Sequence, residues 1–257
     1  MAKGTRKAGE FCWINMLTPE PEAARDFFGK LLGWTFTDVP GMDSGNIIKI
    51  GGGDIGGLWD LNSPMTPPGL PPSIGVMVKV DSVDATVAKV EALGGTVREA
   101  MDIMDNGRMA VCFDPNGANF DLWEAKKQGG MEADSEAHGV PSWFETITTD
   151  TGRATEFYSE LFGWTHEVMP MPGTEYTVFK LGDEYAAGLM KGTPEMGNPP
   201  AHWATNITVK NADDSAREAV ELGGTIMVPV QEVPEVGRFG GIVSPQGVMF
   251  NVVQYIR

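Results

Sequence analysis

Apolar residues at Ala24, Phe27, Phe28 and Leu31 recur at i, i+3, i+4 and i+7, the stripe of a helix that buries one face. The stripe returns at Ala154, Phe157, Tyr158 and Leu161. Gly33 and Gly163 follow the two stripes as helix stops, where a left-handed residue closes the last turn. Thr18 as cap and Pro19 at the first helical position predict where the first helix starts. A second helix is predicted over "SVDATVAKVEAL", with Val83, Val87 and Val90 as its apolar side and Gly94 as its stop. "NADDSAREAVEL" before Gly223 is its partner. Between the helices lie short alternating or β-branched runs, "NIIKI", "GVMVKV", "MAVCF", "TVFKL" and "NITVK", which predict strands. Each half of the chain therefore reads β-α-β-β-β twice. Helices with a single apolar stripe must lie on one side of a sheet, which leaves the other side free to curl around something.

The halves are copies of one another. "FFGKLLGW" at Phe27–Trp34 returns as "FYSELFGW" at Phe157–Trp164, 130 residues on. Trp13 matches Trp143, "GR" at Gly107 and Arg108 matches Gly237 and Arg238, and "DPNG" from Asp114 matches "SPQG" from Ser244, each at an offset of 130. "LGGTV" from Leu93 returns as "LGGTI" from Leu222 at 129. Offsets this constant mark a tandem duplication. The expected organisation is an N-terminal tail at 1–9, a first domain at 10–125, a polar linker "KKQGGMEADSEAHG" at 126–139 and a second domain at 140–257. The expected fold is α+β: four βαβββ units forming two cupped mixed sheets with helices on the outer face.

Composition narrows the partners. The 257-residue chain carries a net charge of −16, which argues against a nucleic-acid surface, since phosphate binding needs clustered Lys and Arg. No apolar run approaches the roughly 20 residues that span a bilayer, and the basic N-terminus is not followed by the apolar core of a secretory signal. Cys12 and Cys112 are expected as two buried thiols in a reducing compartment. Cytoplasmic localisation and a monomer or homodimer are the expectations.

Paired βαβββ units, an aromatic pair before Leu-Gly-Trp or Phe-Gly-Trp, a "V-D-x-V-D…GG" stretch and a closing "D-P-x-G" turn together resemble the vicinal oxygen chelate superfamily. That group contains glyoxalase I, bleomycin-resistance proteins and extradiol dioxygenases. The likeness covers about residues 10–125 and 140–256, and the twin "GW" endings are most similar to its glyoxalase-like antigen and hydroxylase-annotated bacterial subgroup. It implies a cupped sheet in each half whose concave face binds a small molecule. It also implies a divalent metal, with a ligand in the first strand, another early in the fifth and a Glu in the closing strand. Those positions here are Trp13 and Trp143, about Gly75 and Ala204, and Asp121 and Asn251. Indole, glycine and alanine cannot coordinate a metal, and a lone carboxylate is not a site. The expectation is that both metal centres are lost, with no cofactor in their place.

Residues two apart on a strand share a face. Asn15 and Glu145 thus join Trp13 and Trp143 inside the cups, Trp123 and Asn119 join Asp121, and His202 and Asn206 point inward beside Ala204. Glu145 and Asp121 are the candidate catalytic groups. Trp13, Asn15, Trp123, Trp143, His202, Asn206 and Asn251 are the candidate binding residues. "GGGDIGG" at Gly51–Gly57 has the spacing of a dinucleotide loop, but a strand rather than a helix follows it, so it reads as a hairpin turn. Arg108 and Arg238 read as hairpin arginines rather than anion guards. Three functions compete: a metal-independent lyase, isomerase or hydroxylase-like enzyme acting on a carbonyl-bearing or aromatic substrate, a protein that sequesters such a compound, and a metalloenzyme with unorthodox ligands such as Asp121 and Glu145.

Overall fold

A computed structural model describes residues 6–39, 45–64, 66, 69–171 and 174–256; residues 1–5 of the expected tail lie outside them. The first half runs β1 (Phe11–Thr18), α1 (Pro21–Leu32), β2 (Thr35–Asp38), β3 (Asn46–Ile50) and β4 (Gly53–Asp60). It continues with β5 (Ser73–Lys79), α2 (Val83–Ala92), β6 (Thr96–Ile103), β7 (Gly107–Phe113) and β8 (Asn119–Ala125). The second half repeats the plan with β9 (Pro141–Thr148), α3 (Thr151–Phe162), β10 (Thr165–Met171), β11 (Thr174–Leu181) and β12 (Glu184–Lys191). Its last unit is β13 (His202–Thr208), α4 (Ala212–Glu221), β14 (Thr225–Val233), β15 (Gly237–Val243) and β16 (Met249–Tyr255).

Each half closes its own eight-stranded sheet, in the order β2-β3-β4-β1-β5-β8-β7-β6 and β10-β11-β12-β9-β13-β16-β15-β14. The two units of a half meet at its centre, where β1 runs antiparallel to β5 and β9 to β13. Within a unit the first strand lies parallel to the last, as in β1 with β4 and β5 with β8. The cupped α+β duplication expected from the repeat is what the chain adopts.

The helices begin and end where local chemistry dictates. Ser82, Asp150 and Asn211 accept the N–H groups of Ala85, Arg153 and Asp214 and cap α2, α3 and α4. The first helix departs from expectation. Thr18 is still a strand residue paired with Asp60, so the helix starts two residues later, with Glu20 at its cap and Pro21 opening it. Thr18 Oγ1 instead accepts the N–H of Glu20 at 3.3 Å and turns the chain out of β1. Among the described residues no helix is long and apolar enough to cross a membrane.

Strand alternation divides β1 between Cys12, Ile14 and Met16, which are fully buried, and Trp13 and Asn15 on the opposite face. The helix-bearing faces of the two sheets meet each other, with α1 beside α4 and α2 beside α3. Phe11 stacks on Phe144 with ring centroids 4.4 Å apart, Phe28 packs on Phe250, and Tyr158 packs on Phe120. The halves thus share one core, and the two concave faces are left on opposite sides of it. Segment 126–139 is laid along this body: Met131 N–H donates to Cys12 O at 2.7 Å and Glu132 N–H to Asp54 O at 2.8 Å. Cys12 and Cys112 are free and buried, and burial pushes the Cys112 thiol up to about 12. Arg108 and Arg238 bind Asp84 and Asp213 and tie their hairpins to the starts of α2 and α4.

Candidate functional site

Glu145 sits at the centre of the second cup, on β9 opposite Ala204 of β13 and Gly188 of β12. Only 9% of it is exposed. Both carboxylate oxygens are engaged. Asn206 Nδ2 donates to Oε1 at 3.2 Å, and the Tyr176 hydroxyl donates to Oε2 at 2.9 Å. The Tyr176 oxygen in turn accepts the indole N–H of Trp143 at 2.8 Å. Burial raises the pKa of Glu145, the donors Asn206 and Tyr176 hold it back, and the charge of His202 lowers it further. Tyr176 is raised as well, by burial and by the neighbouring Glu145. Asn251 lies in register with Asn206 on the adjacent strand. At the rim, Ser142 Oγ and the Tyr255 hydroxyl are 3.0 Å apart.

The first cup has the same frame with different groups. Asn15 Nδ2 donates to Asp121 Oδ2 at 3.0 Å, and Trp59 Nε1 donates to Asn15 Oδ1 at 3.2 Å. Trp123 Nε1 donates to the Gln128 carbonyl at 2.9 Å and the ring lies over Gly107. Burial pushes Asp121 up to about 7, against the lowering effect of hydrogen bonds from Asn15 and Asn119.

Sequence reasoning missed Trp59 and Tyr176, the donors that pin Asn15 and Glu145. A glycine admits each of them. A Cβ on Gly57 would stand 2.7 Å from Trp59 Nε1, and one on Gly188 would stand 1.9 Å from the Tyr176 hydroxyl. Gly57 pairs with Asn15 and Gly188 with Glu145, so the two glycines are equivalent. Mid-strand glycines followed by Leu in both halves were the available signal, at an offset of 131 rather than 130.

The structure does not bring Asp121 and Glu145 together: they line separate sheets. A shared metal centre built from the two is therefore excluded. The family's metal positions, Trp13, Gly75 and Asp121 in one cup and Trp143, Ala204 and Asn251 in the other, leave at most one carboxylate per cup. Asn15 lies opposite Gly75 exactly as Glu145 lies opposite Ala204. Among the described residues no three His, Cys, Asp or Glu side chains converge. The residues present do not fit a divalent ion, which needs several converging oxygen or nitrogen ligands.

His138 Nδ1 accepts the N–H of Lys210 at 3.3 Å within segment 126–139. His202 Nδ1 is 2.8 Å from the Pro200 carbonyl. His166 is exposed and lies 3.3 Å from Ser159 Oγ, in a cleft of about 500 Å³ between α3 and the β10–β11 hairpin, outside both cups.

A family model described as "Glyoxalase/Bleomycin resistance protein/Dioxygenase superfamily" matches residues 11–122. CFP32 of Mycobacterium tuberculosis, named as a provisional glyoxylase, is 34% identical over 94% of this chain and 93% of its own. The anthracycline biosynthesis protein DnrV of Streptomyces peucetius is 32% identical over 96% of this chain and 93% of its own. Among solved structures, the Mn(II)-bound glyoxalase from Novosphingobium aromaticivorans aligns at a TM-score of 0.67 and 15% identity, over 100% of this chain and 84% of that one. The 2,2',3-trihydroxybiphenyl 1,2-dioxygenase of Sphingomonas wittichii aligns at 0.65 and 12%, over 100% and 92%. These structural likenesses concern the fold.

Proposed function

Because the chain belongs to the glyoxalase/bleomycin resistance protein/dioxygenase superfamily, we propose that it binds a small carbonyl-bearing or aromatic molecule in the second cup and moves a proton on it with Glu145. The observation that carries this reading is the Trp143–Tyr176–Glu145–Asn206 network. It fixes one buried carboxylate on the inner face, beside an indole wall, with its pKa raised toward the range where a general base works best. A carboxylate offers about four lone-pair sites, and two are occupied, so acceptor capacity remains for a substrate proton. Trp143 supplies apolar area, and Asn206 and Asn251 supply orientation. The names of CFP32 and DnrV, which concern glyoxylase and anthracycline biosynthesis for those proteins, agree with a small organic occupant.

One observation favours a second reading, a protein that only sequesters its ligand: both oxygens of Glu145 are already bonded, as in a carboxylate held for structure. Two variants separate the readings. The ligand that co-purifies is first identified by native mass spectrometry. Trp143→Ala should weaken its binding by roughly 2–4 kcal/mol if the indole is a hot spot. Glu145→Gln keeps the shape and one acceptor oxygen for Asn206, with its NH2 turned to the Tyr176 oxygen, and deletes the charge. It leaves a sequestering protein near wild type but slows an enzyme about 10²–10⁴-fold. Wild-type binding and turnover in both variants would place the site elsewhere.

A further inference from the structure

We propose that the cleft between α3 and the β10–β11 hairpin is a second binding site, for a small organic dication with guanidinium or ammonium groups on a flexible chain. The cleft lies outside both cups, so the inference holds whether or not Glu145 transfers protons. Its volume of about 500 Å³ falls within the roughly 300–1,000 Å³ of small-molecule sites.

The duplication indicates what this space accepts. In the first half, Arg25 on α1 fills the equivalent position with a cation of its own. Its guanidinium carbon stands 5.7 Å over the Phe36 ring, Nη1 donates to Glu22 Oε1 at 3.0 Å, and Asp38 Oδ1 lies 3.7 Å away. One turn further along α1, Lys30 Nζ donates to Asp26 Oδ2 at 2.7 Å. At an offset of 130, Glu22, Arg25 and Asp38 become Gly152, Thr155 and Val168. All three replacements line the cleft, which opens where the charged groups of the first half meet. Asp26 and Lys30 become Glu156 and Glu160, so an attractive i,i+4 pair turns into a repulsive one. Both cations that the first half supplies here are missing from the second.

The walls suit a cation from outside. Glu156 and Glu160 reach the cleft from α3 and Glu175 from β11, and among the described residues no Lys or Arg lines it. Arg153 of α3 extends to Gly94 instead, and Lys180 of β11 pairs with Glu167 at 3.0 Å. The acids and His166 do not converge as metal ligands, so separated charges on one organic chain match them better than a single ion. Hydroxyls complete the site. Thr177 is 5% exposed and Thr155 is 9%, both line the cleft, and among the described residues neither side chain makes a hydrogen bond. Buried hydroxyls ordinarily have partners. Here the N–H groups of a bound cation would donate to them.

The probes are agmatine, a guanidinium and an ammonium joined by an aliphatic chain, and its uncharged isostere (4-hydroxybutyl)urea, titrated into the full chain by calorimetry. Agmatine is expected to bind with one equivalent per chain and at least about tenfold more tightly than the urea. It should shift the ring signals of His166 in NMR spectra and leave those of His138 and His202 in place. Glu160 is exposed, so Glu160→Lys spares the core, and by restoring the first half's pairing it should lower agmatine affinity about tenfold or more. Thr155→Arg, checked for native circular dichroism, should fill the cleft as Arg25 does and abolish binding. Glu221→Gln, on the exposed side of α4, controls for the net charge of −16 and should leave affinity within about twofold. Equal affinity for both probes, no saturable binding of agmatine, unchanged binding in Glu160→Lys, or a loss in Glu221→Gln as large as in Glu160→Lys would each overturn the assignment.

Discussion

The indole N–H of Trp34 donates to the carbonyl of Gly139 at 2.6 Å, and 130 residues on Trp164 donates to Gly9 at 3.0 Å. Each tryptophan closes the "GW" word of its own half, and each acceptor opens the first strand of the other half. The repeated word is therefore a reciprocal clasp between two copies of one domain. Gly139 must be glycine: its φ is +82°, and a Cβ there would stand 2.2 Å from the Leu32 carbonyl.

Trp34→Phe and Trp164→Phe are expected to cost similar amounts. Each keeps an aromatic ring but strands a buried carbonyl, a penalty of about 1–3 kcal/mol before any loss of packing. Urea denaturation measures it. The midpoints should fall together in both variants, still as one transition, because Phe11, Phe28, Phe120 and Phe144 join the halves in a single core. A variant that unfolds in two steps would show that the halves are separately stable.

The two copies are not interchangeable at their contact. The Tyr158 hydroxyl donates to Asp114 Oδ2 at 3.0 Å across the halves, and accepts the Trp203 N–H at 2.9 Å. The equivalent residues in the other direction are Phe28 and Ser244. Tyr158→Phe copies the first half's solution into the second, leaving a buried carboxylate oxygen and an indole N–H without partners. It should destabilise by about 2–5 kcal/mol in thermal or urea unfolding. A loss under about 0.5 kcal/mol would mean that water replaces the hydroxyl.

The strand-and-helix plan, the duplication and the inward parity of Trp13, Asn15, Trp143 and Glu145 were all readable in the sequence, because each rests on a local period or a constant offset. Two things were not. Which copy each closing strand joins is a matter of long-range pairing, so Asp121 and Glu145 looked able to share a cavity until each half closed its own sheet. The donors Trp59 and Tyr176 come from strands with no periodic mark of a site, and a one-residue insertion moves them out of the 130-residue register. Tyr176 matches Gly45 in the first half, so comparing the copies could not reveal it.

Asp121 should make stability fall as pH rises. Its pKa is about 7 in the fold against 3.8 as the ordinary value, so the folded state holds a proton that the unfolded chain has released. The penalty is absent below the lower value, grows between the two and is complete above pH 7, at about 4 kcal/mol. Asp121→Asn removes it. The variant should match wild type near pH 4 and exceed it by about 2–4 kcal/mol at pH 8. Equal stability differences at both pH values, measured by urea unfolding, would show that Asp121 stays ionised in the fold.

Gly188→Ala tests whether the Tyr176 donor tunes Glu145. The added methyl would overlap the Tyr176 hydroxyl and must push the ring aside, while the glycine's φ is one that alanine adopts freely. The backbone therefore survives, and the damage is confined to the Trp143–Tyr176–Glu145 chain. Tyr176→Phe removes the same hydroxyl without adding bulk. Both variants delete a hydrogen bond that favours the ionised carboxylate, so Glu145 should titrate at higher pH in each. Carboxyl carbon chemical shifts followed by NMR across pH 4–8 give the value directly. If Glu145 serves as a base, the acid limb of the activity profile moves with it. A carboxyl that titrates unchanged in both variants would mean that burial, Asn206 and His202 set its ionisation without the phenol, which would then be packing rather than tuning.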